Sequence, residues 1–154
     1  IMIAEAMIGR GGKALDYYLR ICPSARERIS EIHRCEPYVY AQMIAGRDAV
    51  RHGEAKNSWL TGTAAWNLVA ITQYILGVQA EYSGLRIDPC VPQTWRKFSV
   101  RRVYRGKKCA ITVRNPGGVE KGVKRITVNG RAIRGTIVPV ELLRGENEID
   151  VVMG

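Results

Sequence analysis

Thr61, Gly62 and Thr63 stand where a polar run, "HGEAKNSW" (residues 52–59), gives way to a long apolar segment. That is the place of a helix N-terminus. The first N–H groups of a helix have no intrahelical partner, and the macrodipole favours negative charge there. A glycine between two hydroxyl-bearing residues leaves the backbone open and adds a donor on either side. An oxyanion, most simply phosphate, suits such a turn. The same residues also serve an ordinary cap, in which Ser58 or Thr61 satisfies a helix N–H.

Other chemistries find less support. Glu36, Asp48 and Glu54 lie close in sequence, and paired carboxylates carry glycoside hydrolysis at a defined separation, which sequence proximity does not set. Asp48 reads as a solvated or capping carboxylate. "GRGGK" (residues 9–13) lacks the glycine spacing of a phosphate loop and has Ala14 where Ser or Thr would bind magnesium, so it reads as a turn between helices. No GxSxG occurs, and His33 and His52 alone make no triad. Cys22, Cys35, Cys90 and Cys109 have no CxxC spacing. They are expected to be reduced thiols of a cytoplasmic protein, with no zinc site. No metal or organic cofactor is implied.

These residues must be positioned by two halves of different periodicity. The chain has 154 residues, 46% hydrophobic and 25% charged, a globular composition. No apolar run approaches the ~20 residues of a membrane span. "IMIAEAMIG" is too short and too acidic for a signal peptide, and its start in mid-pattern suggests a chain cut from something longer. "IMIAEAMIG" and "KALDYYLRI" read as two helices about the Gly9–Gly12 turn. "EPYVYAQMIAG" is expected to be a third helix, opened by Pro37 and closed by Gly46. "WLTGTAAWNLVAITQYILG" is apolar nearly all round and is expected to be buried on several sides.

Beyond "EYSG" the period becomes two. "FSVRRVYRG" and "KKCAITVRNPGG" form a candidate hairpin about Gly106, and Asn129-Gly130 is a strong hairpin signal. "TIVPVELLRGENEIDVVM" supplies two final strands. The boundary falls near residues 80–85, giving a helical part, 1–82, and a β-part, 83–154. The formal net charge of +10 is concentrated in the second. Residues 1–83 carry nine Lys/Arg against eight Asp/Glu, whereas residues 84–154 carry fifteen against six. That excess raises a polyanion-binding alternative. Only Trp95, Phe98 and Tyr104 accompany the Arg101-Arg102 and Lys107-Lys108 clusters, too few stacking groups for a nucleic-acid surface.

In order, "EPYVYAQ", "WLTGTA", "YILG" and "GLRIDPC-P" resemble the C-terminal part of the inverting glycoside phosphorylases of glycoside hydrolase family 94. The resemblance runs from Ile1 to about Val140, and "HGEAKNSW" leans towards the chitobiose-cleaving branch. It implies an α+β chain: the last helices of an (α/α)6 barrel, then an antiparallel β-sandwich of jelly-roll type. It also implies phosphorolysis of a β-linked disaccharide, of chitobiose or cellobiose type, to an α-sugar 1-phosphate. Thr61 and Gly62 then match phosphate-binding residues and Gln42 a glycone-binding glutamine. Glu36 and Tyr38 share the glutamine's motif and line the site. The acid aspartate and a phosphate-binding histidine lie upstream in such enzymes, and neither His33 nor His52 takes the histidine's position. This chain alone is therefore expected to be inactive, to expose apolar helix faces unless the rest of the barrel covers them, and to belong to a homodimeric enzyme. A purely structural or oligomer-forming β-part is the other alternative.

Overall fold

The computed structural model describes residues 1–154. Helices α1 (Met2–Met7) and α2 (Gly11–Ile21) form the expected pair about the Gly9 turn. Their small residues Ala6 and Ala14 are buried, which lets the helices approach the β-part closely. A 3-10 turn (Pro23–Ile29) and a single helical turn, α3 (Ser30–His33), follow.

The helix expected after Pro37 is absent. Ala41–Ile44 form β1, which pairs antiparallel with β2 (Ala55–Ser58) as an isolated ribbon. Tyr38, Val39, Tyr40 and Ile44 are strand formers, and cross-strand pairing overrides the helix-start signal of the proline. Helix α4 (Thr63–Val69) then continues without a break into a π-helical segment, Ala70–Ile75.

That helix is not buried on several sides. Asn67, Ala70 and Ile75 face inward, while Trp66 and Leu68 are 69% and 62% exposed. Residues 1–154 supply no surface to cover the outer face, so an all-round apolar sequence packs on one side only. Gly77 (φ 70°) ends the helix, and a Cβ there would overlap the backbone of Asp88.

The first strand of the β-part comes immediately afterwards. β3 (Val78–Ala80), β4 (Gly84–Ile87) and β9 (Ile137–Pro139) form an antiparallel sheet in the order β3-β4-β9. The larger sheet contains β5 (Lys97–Tyr104), β6 (Lys107–Arg114), β7 (Val123–Val128), β8 (Arg131–Ile133) and β10 (Glu146–Met153). Its order is β5-β6-β10-β7-β8.

Both predicted hairpins form. Arg105-Gly106 joins β5 to β6 and Asn129-Gly130 joins β7 to β8, each with both residues at positive φ. Such turns match the strand twist. The last two strands do not form one hairpin: β9 joins the small sheet, and β10 enters the large one between β6 and β7. β10 pairs antiparallel with β7 but parallel with β6, so the β-part is mostly, not wholly, antiparallel.

One core joins the two sheets and the helices. Leu85, Ile87 and Val138 of the small sheet meet Ile111, Val113, Ile126, Ile149 and Val151 of the large one, and Ala6, Ala14 and Ile75 belong to the same cluster. No helix is long and apolar enough to cross a membrane.

Candidate functional site

The Thr61–Thr63 turn leads directly into α4. The Thr61 hydroxyl accepts a hydrogen bond from the Thr63 N–H at 3.0 Å, and the two hydroxyl oxygens lie 2.7 Å apart. The capping chemistry of Thr61 is therefore present. Whichever hydroxyl donates to the other, one hydroxyl proton remains for an outside acceptor. The Gly62 carbonyl accepts the Trp66 N–H, whereas the Gly62, Ala64 and Ala65 amides make no protein hydrogen bond.

Gly62 itself has φ −75°, a conformation open to any residue. A Cβ there would meet only the Trp66 Cδ1, at the ordinary distance of 3.8 Å. Neither backbone strain nor the protein's own packing demands a glycine. Free amides, a spare hydroxyl proton and open space together suit a small oxyanion.

Gln42 lies on β1, opposite Asn57 of β2. The Asn57 Nδ2 donates to the Gln42 Oε1 at 2.8 Å. Gln42 and Thr63 line one groove of about 250 Å³, together with Ile21, His33, Tyr40 and Met43. The ribbon and the start of α4 thus bring Gln42 and Thr63 to a common cavity, which Thr61 and Gly62 themselves do not line. Burial pushes the Tyr40 phenol well above its ordinary value, so it stays a neutral hydroxyl, 3.5 Å from that of Tyr18. Desolvation, helped by nearby Arg26, lowers the pKa of the buried His33 and favours its neutral form.

Glu36 and Tyr38 gather around a residue that sequence reasoning left aside. The Trp59 indole N–H donates to the Glu36 Oε1 at 3.1 Å. The same ring meets Tyr38 edge-on, with centroids 6.1 Å apart. The backbone N–H of Glu36 itself, then the Trp59 indole, hold the Glu36 carboxyl below its ordinary range. Trp59 stands two residues before Thr61, and its ring is exposed.

The neighbouring carboxylates have different partners: Glu36 accepts from Trp59, and Glu54 is held by cations. Glu54 is buried and occupied by cations: Lys56 Nζ at 2.9 Å, Arg51 at 3.2 Å and Arg34 at 3.9 Å. The Lys56 contact leads in lowering its pKa, despite the opposing desolvation. It ties β2 to the preceding loops. Asp48 is exposed, and a cavity of about 900 Å³ lies elsewhere, over Ala110 on the large sheet.

The arrangement is a helix-start turn with free amides beside a groove walled by an amide and aromatic rings, backed by a β-rich part. The protein-family model for the glycosyl hydrolase 94 superfamily catalytic domain matches residues 1–77. N,N'-diacetylchitobiose phosphorylase of Vibrio proteolyticus is 45% identical over 152 residues, 99% of this chain and 19% of that protein. The Vibrio furnissii protein of the same name is 42% identical over 152 residues, again 99% and 19%. Solabiose phosphorylase of Paenibacillus borealis is 40% identical over 139 residues, 90% of this chain and 18% of that protein. The chain belongs to the glycosyl hydrolase 94 superfamily. It spans about a fifth of the length of these relatives.

Proposed function

We propose that residues 1–154 are the C-terminal part of an inverting glycoside phosphorylase, a glycosyl-transferring enzyme. It cleaves a β-linked disaccharide, of chitobiose or cellobiose type, with inorganic phosphate and releases an α-sugar 1-phosphate. In this reading Thr61 and Gly62 hold phosphate, with the free amides of the turn as donors. Gln42 hydrogen-bonds the glycone, and Glu36 and Tyr38 border it. An acid aspartate outside residues 1–154 protonates the leaving oxygen while phosphate attacks the opposite face, where an inverting hydrolase would hold water. The observation that carries the reading is the open Gly62 turn, whose next residue, Thr63, lines the same groove as Gln42. Likeness along nearly the whole chain to two N,N'-diacetylchitobiose phosphorylases supports the substrate class.

The same reading makes α1–α4 the last helices of an (α/α)6 barrel and the two sheets a jelly-roll-type domain, with the division between Gly77 and Gly84. The end of the family match at residue 77 and the first β-part strand at Val78 support that division. Exposed Leu60, Trp66 and Leu68 are then the surface on which the rest of the barrel packs, and residues 1–154 alone are inactive. We place the enzyme in the cytoplasm as a homodimer that needs no cofactor beyond phosphate as co-substrate. The four unpaired thiols suit a reducing compartment.

The polyanion alternative loses ground on the large sheet. Trp95 and Phe98 pack on each other and on the core, and the Tyr104 hydroxyl is tied to the Glu81 carbonyl, so none is free to stack. Arg101, Arg102 and Lys108 share their depression with Glu146 and Glu148.

The test is phosphorus NMR of the longest natural polypeptide containing this chain, incubated with phosphate and N,N'-diacetylchitobiose or cellobiose. An α-sugar 1-phosphate signal, lost in Thr61→Val, is expected. Free sugar without sugar phosphate would make the protein a hydrolase.

A further inference from the structure

We propose that Asn57 is a positioning residue that fixes which end of the Gln42 amide faces the groove. The proposal rests on the reading of Gln42 as a sugar-binding residue. Asn57 donates its Nδ2 to the Gln42 Oε1 at 2.8 Å, across the β1–β2 ribbon. With its oxygen engaged, Gln42 turns its NH2 group to the ligand and offers donors to sugar oxygens. Were the pair inverted, Gln42 would present a carbonyl and accept from sugar hydroxyls instead. The two orientations have the same shape and opposite hydrogen-bonding polarity.

The backbone around Asn57 carries the second observation. Asn57 has φ 54° inside a strand, and Trp59, two residues on, has φ 71°. Asparagine tolerates the left-handed region, whereas a bulky tryptophan there is an outlier. Strain of this kind persists where surrounding contacts hold it, and it clusters at functional sites. Here each left-handed residue uses its side chain to hold one sequence-predicted site residue: Asn57 holds Gln42, and Trp59 holds Glu36. The strained segment ends at the Thr61–Gly62 turn, so it sets the ribbon and the turn relative to one another.

Asn57→Asp isolates the effect. An ionised aspartate only accepts, so it must take the Gln42 NH2 and turn the Gln42 oxygen towards the groove. Size is unchanged, and Asp tolerates positive φ as Asn does. Asn57→Gly accommodates the same backbone and merely releases Gln42.

In the longest natural polypeptide containing this chain, we would measure turnover, with separate KM values for disaccharide and phosphate, and calorimetric affinity for the disaccharide alone. Asn57→Asp is expected to raise the disaccharide KM and weaken sugar binding about tenfold, one net hydrogen bond. Asn57→Gly should fall between it and the parent, with phosphate KM and melting temperature unchanged in both. Wild-type phosphorolysis with an unaltered disaccharide KM in Asn57→Asp overturns the positioning role and leaves the phosphorylase reading standing. Sugar binding that depends on Asn57, without any sugar phosphate formed, supports the positioning role and overturns that reading. A uniform loss of kcat and melting temperature in both variants assigns Asn57 a merely structural role and sinks the proposal.

Discussion

Gly11, the first residue of α2, lies against the backbone of Val91, so that a Cβ at Gly11 would overlap the Val91 carbonyl and amide. Helix and β-part therefore meet backbone to backbone at this point, and no side chain can yield there. Lys121 reinforces the junction by reaching the Ala6 carbonyl at 3.3 Å and Asp88 at 3.2 Å. Gly11→Ala is expected to destabilise the protein by ~1–3 kcal/mol, the usual range for overpacking. Thermal melting of variant and parent measures it. A change below ~0.5 kcal/mol would mean that the two parts meet only loosely.

Trp59→Phe retains a ring against Tyr38 and deletes the N–H that Glu36 accepts. The Glu36 carboxyl should then titrate at a higher pH than in the parent. The rise is partial, because the backbone N–H of Glu36 remains the larger cause of its low value. The carboxyl-carbon shift of selectively labelled glutamate reads this directly. An unmoved titration would mean that the indole contact is not formed in solution.

The hairpin turns and the start of α4 are legible in the sequence because local chemistry dictates them. Asn129-Gly130 and Arg105-Gly106 need positive φ, and Thr-Gly-Thr before an apolar run announces a helix start. The 41–44 strand reads as helix in the sequence because its partner, 55–58, lies across a polar loop that carries no strand period. The insertion of β10 between β6 and β7 is likewise a non-local pairing, invisible to a window of neighbouring residues. Asn57 and Trp59 carry no sequence signal for a different reason. Left-handed backbone at residues other than glycine leaves no mark in composition.

Glu54 makes stability depend on acid pH. Its folded pKa lies below the ordinary carboxyl value of 4.5, with Lys56 as the leading cause. The ionised carboxylate thus contributes stability that is fully present above pH 4.5, and it is lost as pH falls through the lower folded value. Glu54→Gln should melt below the parent at neutral pH, and the gap should close as both are acidified. Parallel melting curves down to strongly acid pH would show that the three cations contribute nothing through charge.

The outer face of α4 and the residues leading to it carry Leu60, Trp66 and Leu68, at 75%, 69% and 62% exposure. Adjacent exposed apolar groups of this size mark a contact surface. Produced alone, residues 1–154 should self-associate, and the double variant Trp66→Glu, Leu68→Glu should elute as a monomer. Light scattering after size exclusion decides it. A monomeric parent would show that the face is tolerated in water.

Gly62→Ala separates fold from function more cleanly than any other change in the turn. The backbone at Gly62 (φ −75°, ψ −3°) admits alanine, and the added methyl meets one atom of Trp66 at 3.8 Å. Replacing a glycine at a compatible position restricts the unfolded chain and stabilises by ~0.4–1 kcal/mol. The melting temperature should therefore hold or rise. On the phosphate-binding reading, the new methyl nevertheless takes up open space beside the turn that the anion would use. In the longest natural polypeptide, phosphate KM should then rise by at least about tenfold, the loss of ~1.4 kcal/mol of anion binding. Steady-state kinetics at saturating disaccharide, paired with a melting curve, tests both halves. A lower melting temperature would show that the glycine serves the fold, and an unchanged phosphate KM would remove Gly62 from the phosphate site.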